Sequence, residues 1–436
     1  MATARTDAKT KRSAPKPAVG IILAAGQSTR MITDLPKVLH EVCGRPMLAF
    51  VIDACRAAGL NHLYIVVGYG SERVIERFGD VPNITWVHQQ EQKGTGHAVL
   101  CCQEYLKDYD GDCVVVCGDG PLLRRETLME LLDKHNEEHS AATLATAILE
   151  DPNGYGRIVR DAYGNLQGIV EQADCTGEQL RIREVNPSYY CFDWKTLIWS
   201  LQQIRPDNVK KEYYLTDALH IIIHSGKKAI AITAVHPEDV FSINSRRQLA
   251  DVSKVMQARI QENLMSNGVT IVDPPNTWVD ARAAIGKDSV IHPFTYIHGQ
   301  VRIGRNCQIG PFAYLRDGTV LEDDVVLGVF TEIKNSHLAE QVRARHHTYI
   351  GDAEVGKGVN IGAGTIFANY DGKNIMRTKV GKQTFIGSGS ILIAPLTLAP
   401  GSHIQPGAVV RKNRTGSLGA EDVNGSESGK ANEVRR

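Results

Sequence analysis

The chain has 436 residues, 42% of them hydrophobic, enough for two or three domains with substantial cores. Lys plus Arg and Asp plus Glu each number 49, so no net field attracts nucleic acid or an anionic membrane surface. No apolar stretch reaches the roughly 20 residues that span a bilayer, and nine Cys without paired metal spacing read as reduced thiols of a cytoplasmic protein.

Ala2 to Pro17 is polar and basic, lacks the apolar core of a secretory signal, and reads as a disordered tail. Val19 to Ala25 is an apolar run of the kind that forms a buried parallel strand. At Gly26 the run breaks. Gly26, Ser28 and Thr29 let backbone N–H groups approach a ligand, as in phosphate-cradling turns at strand ends. Arg30 adds a flat fork and Lys37 a point charge, both suited to phosphate oxygens. No Gly-Lys-Ser/Thr closes the loop, so this is not the Walker pattern, and the glycine spacing excludes the dinucleotide fingerprint. The stretch resembles the signature of sugar-1-phosphate nucleotidylyltransferases, Leu-Ala-Ala-Gly-x-Gly-Thr-Arg-Met followed by Pro-Lys.

Met47, Val51, Ala54 and Ala58 recur at helical spacing, and Gly59 closes that helix. His62 to Gly68, Thr85 to Gln89 and Asp112 to Cys117 read as strands. Gly94-Thr95-Gly96-His97-Ala98 opens a helix, and Glu126 to Lys134 lies in another. The alternation over 19–245 predicts a parallel, Rossmann-like α/β sheet with ligands at the strand ends. Asp119 follows a strand opposite the phosphate loop, a natural place for a Mg²⁺ ligand. Gln89, Gly94 and Thr95 offer amide and backbone groups able to read a base edge, although ordinary helix capping explains them as well. Gly154-Tyr155-Gly156-Arg157, Glu171, Asn186 and Asn244 are polar or Gly positions near predicted strand ends.

Over 246–268, Leu249, Val252, Val255, Met256, Ile260 and Leu264 form one helical apolar stripe, suited to a linker helix that ends near Gly268. A new period then starts. Ile285, Ile291, Ile297, Ile303, Ile309, Leu315, Leu321, Leu327 and Ile333 stand six apart, and the period returns at Val380, Ile386, Leu392, Leu398, Ile404 and Val410. An apolar period of six is neither helix nor simple strand. It predicts a parallel β-helix in which three hexads make one turn, and such prisms associate side by side, hence an expected trimer. Between the runs, 334–379 keeps hexad-like pieces with unusual polar content, and a loop departs at about Ala368 to Arg377. Arg343-Ala-Arg-His-His-Thr-Tyr-Ile-Gly-Asp352 lies there, carrying His residues suited to general-base work. Asn413 to Arg436 reads as a disordered tail.

In sequence order these elements resemble the family of bifunctional N-acetylglucosamine-1-phosphate uridylyltransferases / glucosamine-1-phosphate acetyltransferases, over roughly residues 19–412. The resemblance implies a left-handed β-helix of hexapeptide repeats after the α/β domain. It implies a cytoplasmic homotrimer that makes UDP-N-acetylglucosamine from UTP, acetyl-CoA and glucosamine-1-phosphate. It implies that Arg30 and Lys37 hold the triphosphate beside Gly26, that Gln89, Gly94 and Thr95 read uracil, and that Asp119 and Asn244 hold Mg²⁺. Gly156, Glu171 and Asn186 would grip N-acetylglucosamine phosphate. In the β-helix it places the base on His346, phosphate binding on Arg316 and Lys334 with Tyr349 at the same phosphate, and sugar and acetyl-CoA contacts on Asn360, Asn369 and Tyr370; Ser388 is expected as a further substrate-binding residue. Cys117 stands where the family has an aromatic, Pro187-Ser188 where it has Thr-Gly, Arg345 where it has Gly, and Ile375 where it has Lys. The expected organisation is a tail 1–17, a nucleotidylyltransferase domain 18–245, a linker helix 246–268, a β-helix acetyltransferase domain 269–412 and a tail 413–436. Two alternatives stay open at this point: a monofunctional nucleotidylyltransferase whose β-helix only trimerises or regulates, and a catalytically silent trimeric scaffold.

Overall fold

The computed structural model describes residues 16–27, 29–208 and 211–411. Ser28 and nearly all of the two expected tails therefore lie outside the described residues. Lys16 and Pro17 lie inside them and are tied down: Pro17 O accepts from Asp112 N at 2.9 Å, and Lys16 Nζ pairs with Asp193 at 2.8 Å. The chain divides into two compact units, Met1–Val252 and Ser253–Arg436.

The first unit is built on β1 (Ala18–Ala24), α1 (Met47–Ala57), β2 (Leu63–Val67), α2 (Ser71–Phe78), β3 (Ile84–His88), α3 (Thr95–Leu100), β4 (Asp112–Cys117), α4 (Arg125–Glu137), β5 (Ala142–Ile148), β6 (Gly156–Arg160), β7 (Leu166–Val170), β8 (Glu184–Asp193), α5 (Trp194–Leu201), α6 (Leu215–His224) and β9 (Ala229–Ile232). The sheet runs β9-β5-β8-β4-β1-β2-β3, with β6 and β7 hung from β8. β4, β1, β2 and β3 are parallel, as the βα alternation predicts. β8 is antiparallel to both β4 and β5, so the sheet is mixed. An apolar run buried on both faces reads the same in either direction, which is why this reversal was not visible in the pattern. From β1 the chain turns to β2 on one side, while β4 lies on the other. The crevice at the carboxyl ends of β1 and β4 is thus a topological switch point, where doubly wound sheets bind ligands.

α7 (Arg246–Ser266) is the expected helix, and the boundary between the two units falls within it. Its buried Gln257 exchanges hydrogen bonds with the backbone of Val279, and Gln261 Nε2 donates to Thr277 O at 2.7 Å.

The second unit is the expected left-handed parallel β-helix. Strand pairing fixes the length of each turn. Successive coils lie 18 residues apart from Val290 to Gln308 to Val326, 17 apart to Arg343 and to Asn360, 25 apart to Phe385, and 18 apart again to His403. Three hexads per turn is therefore the rule. The coil of 25 holds the excursion expected at Ala368 to Arg377, and the two coils of 17 explain why the period falters after 334. An extra first coil precedes Ile285: Ile271 pairs with Ile291 at a spacing of 20, and the Pro274–Asn276 turn hides it. Inside, the hexad residues stack as like on like, for example Ile297, Leu315, Ile333, Ile350, Phe367, Leu392 and Val410, all buried. Where a coil is one residue short, Val326–Lys334 and Arg343–Gly351 run as continuous strands through a corner. There the Cα of Gly328 passes so close to the next coil that an added Cβ would lie 1.9 Å from Arg345 O, which admits only Gly.

One of the left-handed corners carries a column of rings. Phe294, Phe312, Phe330 and His347 have φ of 59°, 55°, 55° and 41°, and Gly364, Gly389 and Gly407 continue the column. The four rings stack at 4.9, 5.3 and 4.9 Å, a contact that offsets the cost of a side chain in this conformation.

Candidate functional site

Lys37 opens a short turn after Pro36, and its Nζ sits between two oxygens at the switch point. It forms an ion pair with Asp119 Oδ2 and donates to Asn244 Oδ1 at 3.0 Å. Both charged side chains are largely shielded, 15% and 16% exposed. Asn244 Nδ2 donates to Ser242 Oγ at 3.3 Å, which turns Oδ1 toward the lysine. Ile243 N donates to Asp119 O at 3.1 Å and ties the two segments together. Asp119 and Asn244, one carboxylate and one amide carbonyl, are hard oxygen donors, and a cation already sits on both. No cluster of three or more His, Cys, Asp or Glu able to hold a metal occurs among the described residues. Two oxygen ligands suit Mg²⁺, which keeps most of its waters and takes phosphate oxygens for the rest.

Gly26 is exposed, with open space where a Cβ would stand, so a ligand can approach its backbone. Arg30 is exposed on the Thr29–Met31 turn and has no ion-pair partner among the described residues. Beside it Ile32, 89% exposed, holds φ 51°, a strained conformation for a β-branched side chain and one the sequence gives no hint of.

A cavity of about 540 Å³ opens at the same strand ends, lined among others by Thr95, Cys117, Glu171, Ser188, Tyr190 and Tyr214. Gly156 and Asn186 pair across β6 and β8, and Glu171 Oε2 lies 3.6 Å from the position of a Cβ on Gly156. The three residues expected around the sugar are therefore together. Asn186 Nδ2 donates to Tyr190 OH at 2.6 Å, and its Oδ1 accepts from Ser188 N at 3.0 Å, closing a bulge in β8. Ser188 sits at φ 69°, the left-handed region that glycine favours. Burial, and then the Asp119 charge, push the Cys117 thiol up to about 12. Burial likewise drives the Tyr190 hydroxyl upward, and burial with Glu212 raises Tyr214 to about 12. Gln89 is buried beyond β3 and donates to Gly94 O at 3.1 Å, while Thr95 Oγ1 accepts from Leu215 N at 3.0 Å at the start of α6. Both residues thus shape the loop, and Thr95 also lines the cavity. Gln172 also lines the cavity; its only sequence signal is adjacency to Glu171, and Tyr214 has none.

In the β-helix the pairing register does the work. Leu315 pairs with Ile333 and Lys334 with Gly351, so Arg316 and Lys334 hold one position on successive coils. Arg316 Nη1 donates to Glu332 Oε1 at 2.9 Å. Tyr349 pairs with Glu332 on the adjacent coil, and its hydroxyl lies a long 3.5 Å from Asn369 Oδ1. Asp352 anchors this corner, accepting from Asn335 Nδ2 and Asn369 Nδ2, each at 2.5 Å. Ala344 pairs with Ile361 and Tyr349 with Ile366, then Ile361 with Ile386 and Ile366 with Ile391. The constant offsets put His346, Ala363 and Ser388 at one position on three coils, and His346 and Ser388 are exposed. Asn360 pairs with Arg343, on the face before that corner, and Tyr370 stands 62% exposed in the inserted loop. The structure thus gathers Arg316, Lys334, Tyr349 and Asn369, aligns His346 with Ser388, and leaves Asn360 and Tyr370 to either side.

The family model for MobA-like NTP transferase domains matches residues 20–178, and that for bacterial transferase hexapeptide repeats matches 282–317 and 301–335. The chain is 40% identical over 425 residues to the bifunctional protein GlmU of Clostridium botulinum (strain 657 / Type Ba4), covering 90% of this chain and 93% of that one. It is 39% identical over 432 residues to the bifunctional protein GlmU of Clostridium acetobutylicum, covering 91% and 94%. It is 41% identical over 423 residues to that of Geobacillus sp. (strain WCH70), covering 89% and 92%. Identity at this level runs through both units, and the chain belongs to the family of bifunctional GlmU proteins, transferases with a nucleotidyltransferase half and a hexapeptide-repeat acyltransferase half.

Proposed function

We propose that the two units divide the two activities of this bifunctional enzyme between them. The second unit acetylates the amine of glucosamine-1-phosphate from acetyl-CoA. The first transfers the uridylyl group of UTP to the resulting N-acetylglucosamine-1-phosphate, releasing pyrophosphate and UDP-N-acetylglucosamine. Lys37 and Arg30 hold the triphosphate against the Gly26 turn, Gln89, Gly94 and Thr95 read the uracil, and Gly156, Glu171 and Asn186 grip the sugar. The attacking phosphate oxygen is already anionic, so no general base is needed; positioning and charge neutralisation supply the rate. Asp119 and Asn244 would hold Mg²⁺, which when bound neutralises charge on the departing pyrophosphate. In the β-helix, Arg316, Lys334 and Tyr349 bind the sugar phosphate, and His346 takes the proton the substrate ammonium gives up as its amine attacks the thioester. Asn360, Asn369, Tyr370 and Ser388 contact the sugar and acetyl-CoA. The β-helix prism associates into a homotrimer, and the free state of all nine cysteines supports a cytoplasmic location.

The observation that carries this assignment is the meeting of Lys37, Asp119 and Asn244 at the switch point. Two assays on one preparation test it: thiol release from acetyl-CoA with glucosamine-1-phosphate, and pyrophosphate release from UTP with N-acetylglucosamine-1-phosphate. His346→Ala lowers the first by roughly 10²-fold or more and spares the second. Lys37→Ala lowers the second by roughly 10²–10³-fold and spares the first. Either variant retaining the activity assigned to it overturns that role.

A further inference from the structure

We propose that His97 is a positioning residue for base recognition, its Nδ1 holding the Gln89 amide in the orientation that leaves Oε1, an acceptor, as the atom offered to the base. The proposal rests on the reading of Gln89 as the base-contacting residue. Gln89 is only 5% exposed, and its Nε2 meets two partners, Gly94 O at 3.1 Å and His97 Nδ1 at 3.0 Å. A carbonyl oxygen only accepts, so the NH₂ end must face Gly94. The carbonyl is itself fixed: it accepts from Ala98 N at 3.1 Å in the first turn of α3, and a side chain on Gly94, at φ 107°, would meet Tyr213 O at 2.6 Å. With one amide hydrogen on Gly94 O, the other points to Nδ1, which must then carry a lone pair. The ring proton of His97 is on Nε2. Both donors of Gln89 are committed, and no protein donor among the described residues serves its Oε1.

His97 is suited to stay neutral. Burial, and then the nearby Lys93, hold its imidazolium below the ordinary histidine range, against a smaller opposing pull from Glu91. A neutral ring with Nδ1 free is the form that accepts from an amide.

The consequence is a choice among bases. Uracil presents N3–H to an acceptor. Cytosine presents a bare N3, which faces Oε1 lone pair to lone pair. If the amide were free to turn, Gln89 would serve either base; held by His97, it serves the one with a hydrogen at N3.

The test is the ratio of kcat/KM for UTP over CTP in pyrophosphate release by the full-length protein. His97→Leu removes the acceptor, and the ratio falls about tenfold or more, with the change in KM for UTP rather than in kcat. His97→Asn keeps an oxygen near the place of Nδ1 and restores the ratio to within about threefold. An unchanged kcat for UTP in the same variants reports that the first unit is folded. Gln89→Met separates the two layers. If it lowers the ratio while His97→Leu does not, Gln89 reads the base and the role of His97 is overturned. If Gln89→Met leaves the ratio unchanged, the base-reading assignment fails and the proposal with it. Should His97→Leu not fold, ¹⁵N NMR of the unaltered protein decides: an unprotonated Nδ1 on His97 is the expected result, and a protonated one overturns the proposal.

Discussion

The two units arrive at a binding surface by opposite routes. In the first, Lys37 meets partners 82 and 207 residues away, and the meeting depends on which strand lies beside which. In the second, Arg316 and Lys334 come together because they are one coil apart, and His346 aligns with Ser388 because the coil lengths between them are fixed. A sheet site is specified by topology; a solenoid site is specified by arithmetic. Point changes should therefore break the first site sharply and locally. In the second, what must be preserved is the length and fill of the coil.

The largest expected effect tests that fill. Phe367 is fully buried in a column otherwise made of Ile, Leu and Val, on the coil that carries the inserted loop. Phe367→Ala should cost about 3–5 kcal/mol, read as a lower midpoint for heat loss of acetyl transfer. The same variant should leave the midpoint for heat loss of uridylyl transfer in place. An unshifted acetyl-transfer midpoint would show that the coil tolerates a void there.

The matching change in the sheet unit is Asp119→Asn. It keeps the shape and an oxygen but removes the charge that pairs with Lys37. Uridylyl transfer should fall about 10²–10³-fold, or about 3–4 kcal/mol. The Mg²⁺ concentration for half-maximal rate should rise, and acetyl transfer should not respond to chelator in either form. An unchanged Mg²⁺ requirement would remove Asp119 from the metal site.

This contrast also explains what could be read from the sequence. The hexad period was plain from Ile285 because inward side chains recur at a fixed step, and the excursion at Ala368 to Arg377 showed as a gap in it. The extra first coil did not show, since Pro274 to Asn276 stretches its spacing. The strand–loop–helix signature around Gly26, Arg30 and Lys37 was legible because its chemistry is contiguous. Antiparallel β8 was not, nor the bulge at Ser188, nor the tie between His97 and Gln89. Those depend on what packs alongside, and a list of residues carries no neighbour. Asn186 shows the limit well. Its polarity marked it near a strand end, yet its amide is engaged with Tyr190 and Ser188 inside the bulge.

A smaller effect follows from the environment of Cys117. It lines the cavity, and a thiol there invites the expectation of reactivity. Burial and Asp119 push it up to about 12, so at pH 8 only about one thiol in 10⁴ is ionised. Iodoacetamide at pH 8 should leave Cys117 intact in the native protein and label it after unfolding in urea, read by peptide mass mapping. Fast labelling of the native protein would mean the thiol is not held in that environment.

The finest comparison sets the same backbone conformation in both units. Ser188 at φ 69° and Phe312 at φ 55° are both left-handed residues that glycine would suit. For each, replacement by Gly relieves roughly 1 kcal/mol of backbone strain and gives back about 0.4–1 kcal/mol through the freer unfolded chain. At Ser188 the bond that closes the bulge comes from its backbone N–H, which glycine retains, while the hydroxyl's hydrogen bonding to Cys117 and Tyr190 is lost. Ser188→Gly should therefore shift stability by no more than about 1 kcal/mol. Phe312 stands between Phe294 and Phe330, stacked at 4.9 and 5.3 Å. Phe312→Gly forfeits two ring contacts at about 0.5–1.5 kcal/mol each and should destabilise by about 1–3 kcal/mol. Urea midpoints for the two variants measure the difference. Equal shifts would mean that the ring column contributes nothing and that the corner conformation is set by the coil alone. Unequal shifts in the stated direction would show that the solenoid stabilises its strained corners through the neighbouring coil, whereas the bulge in the sheet is held by the Asn186 side chain on the Ser188 N–H.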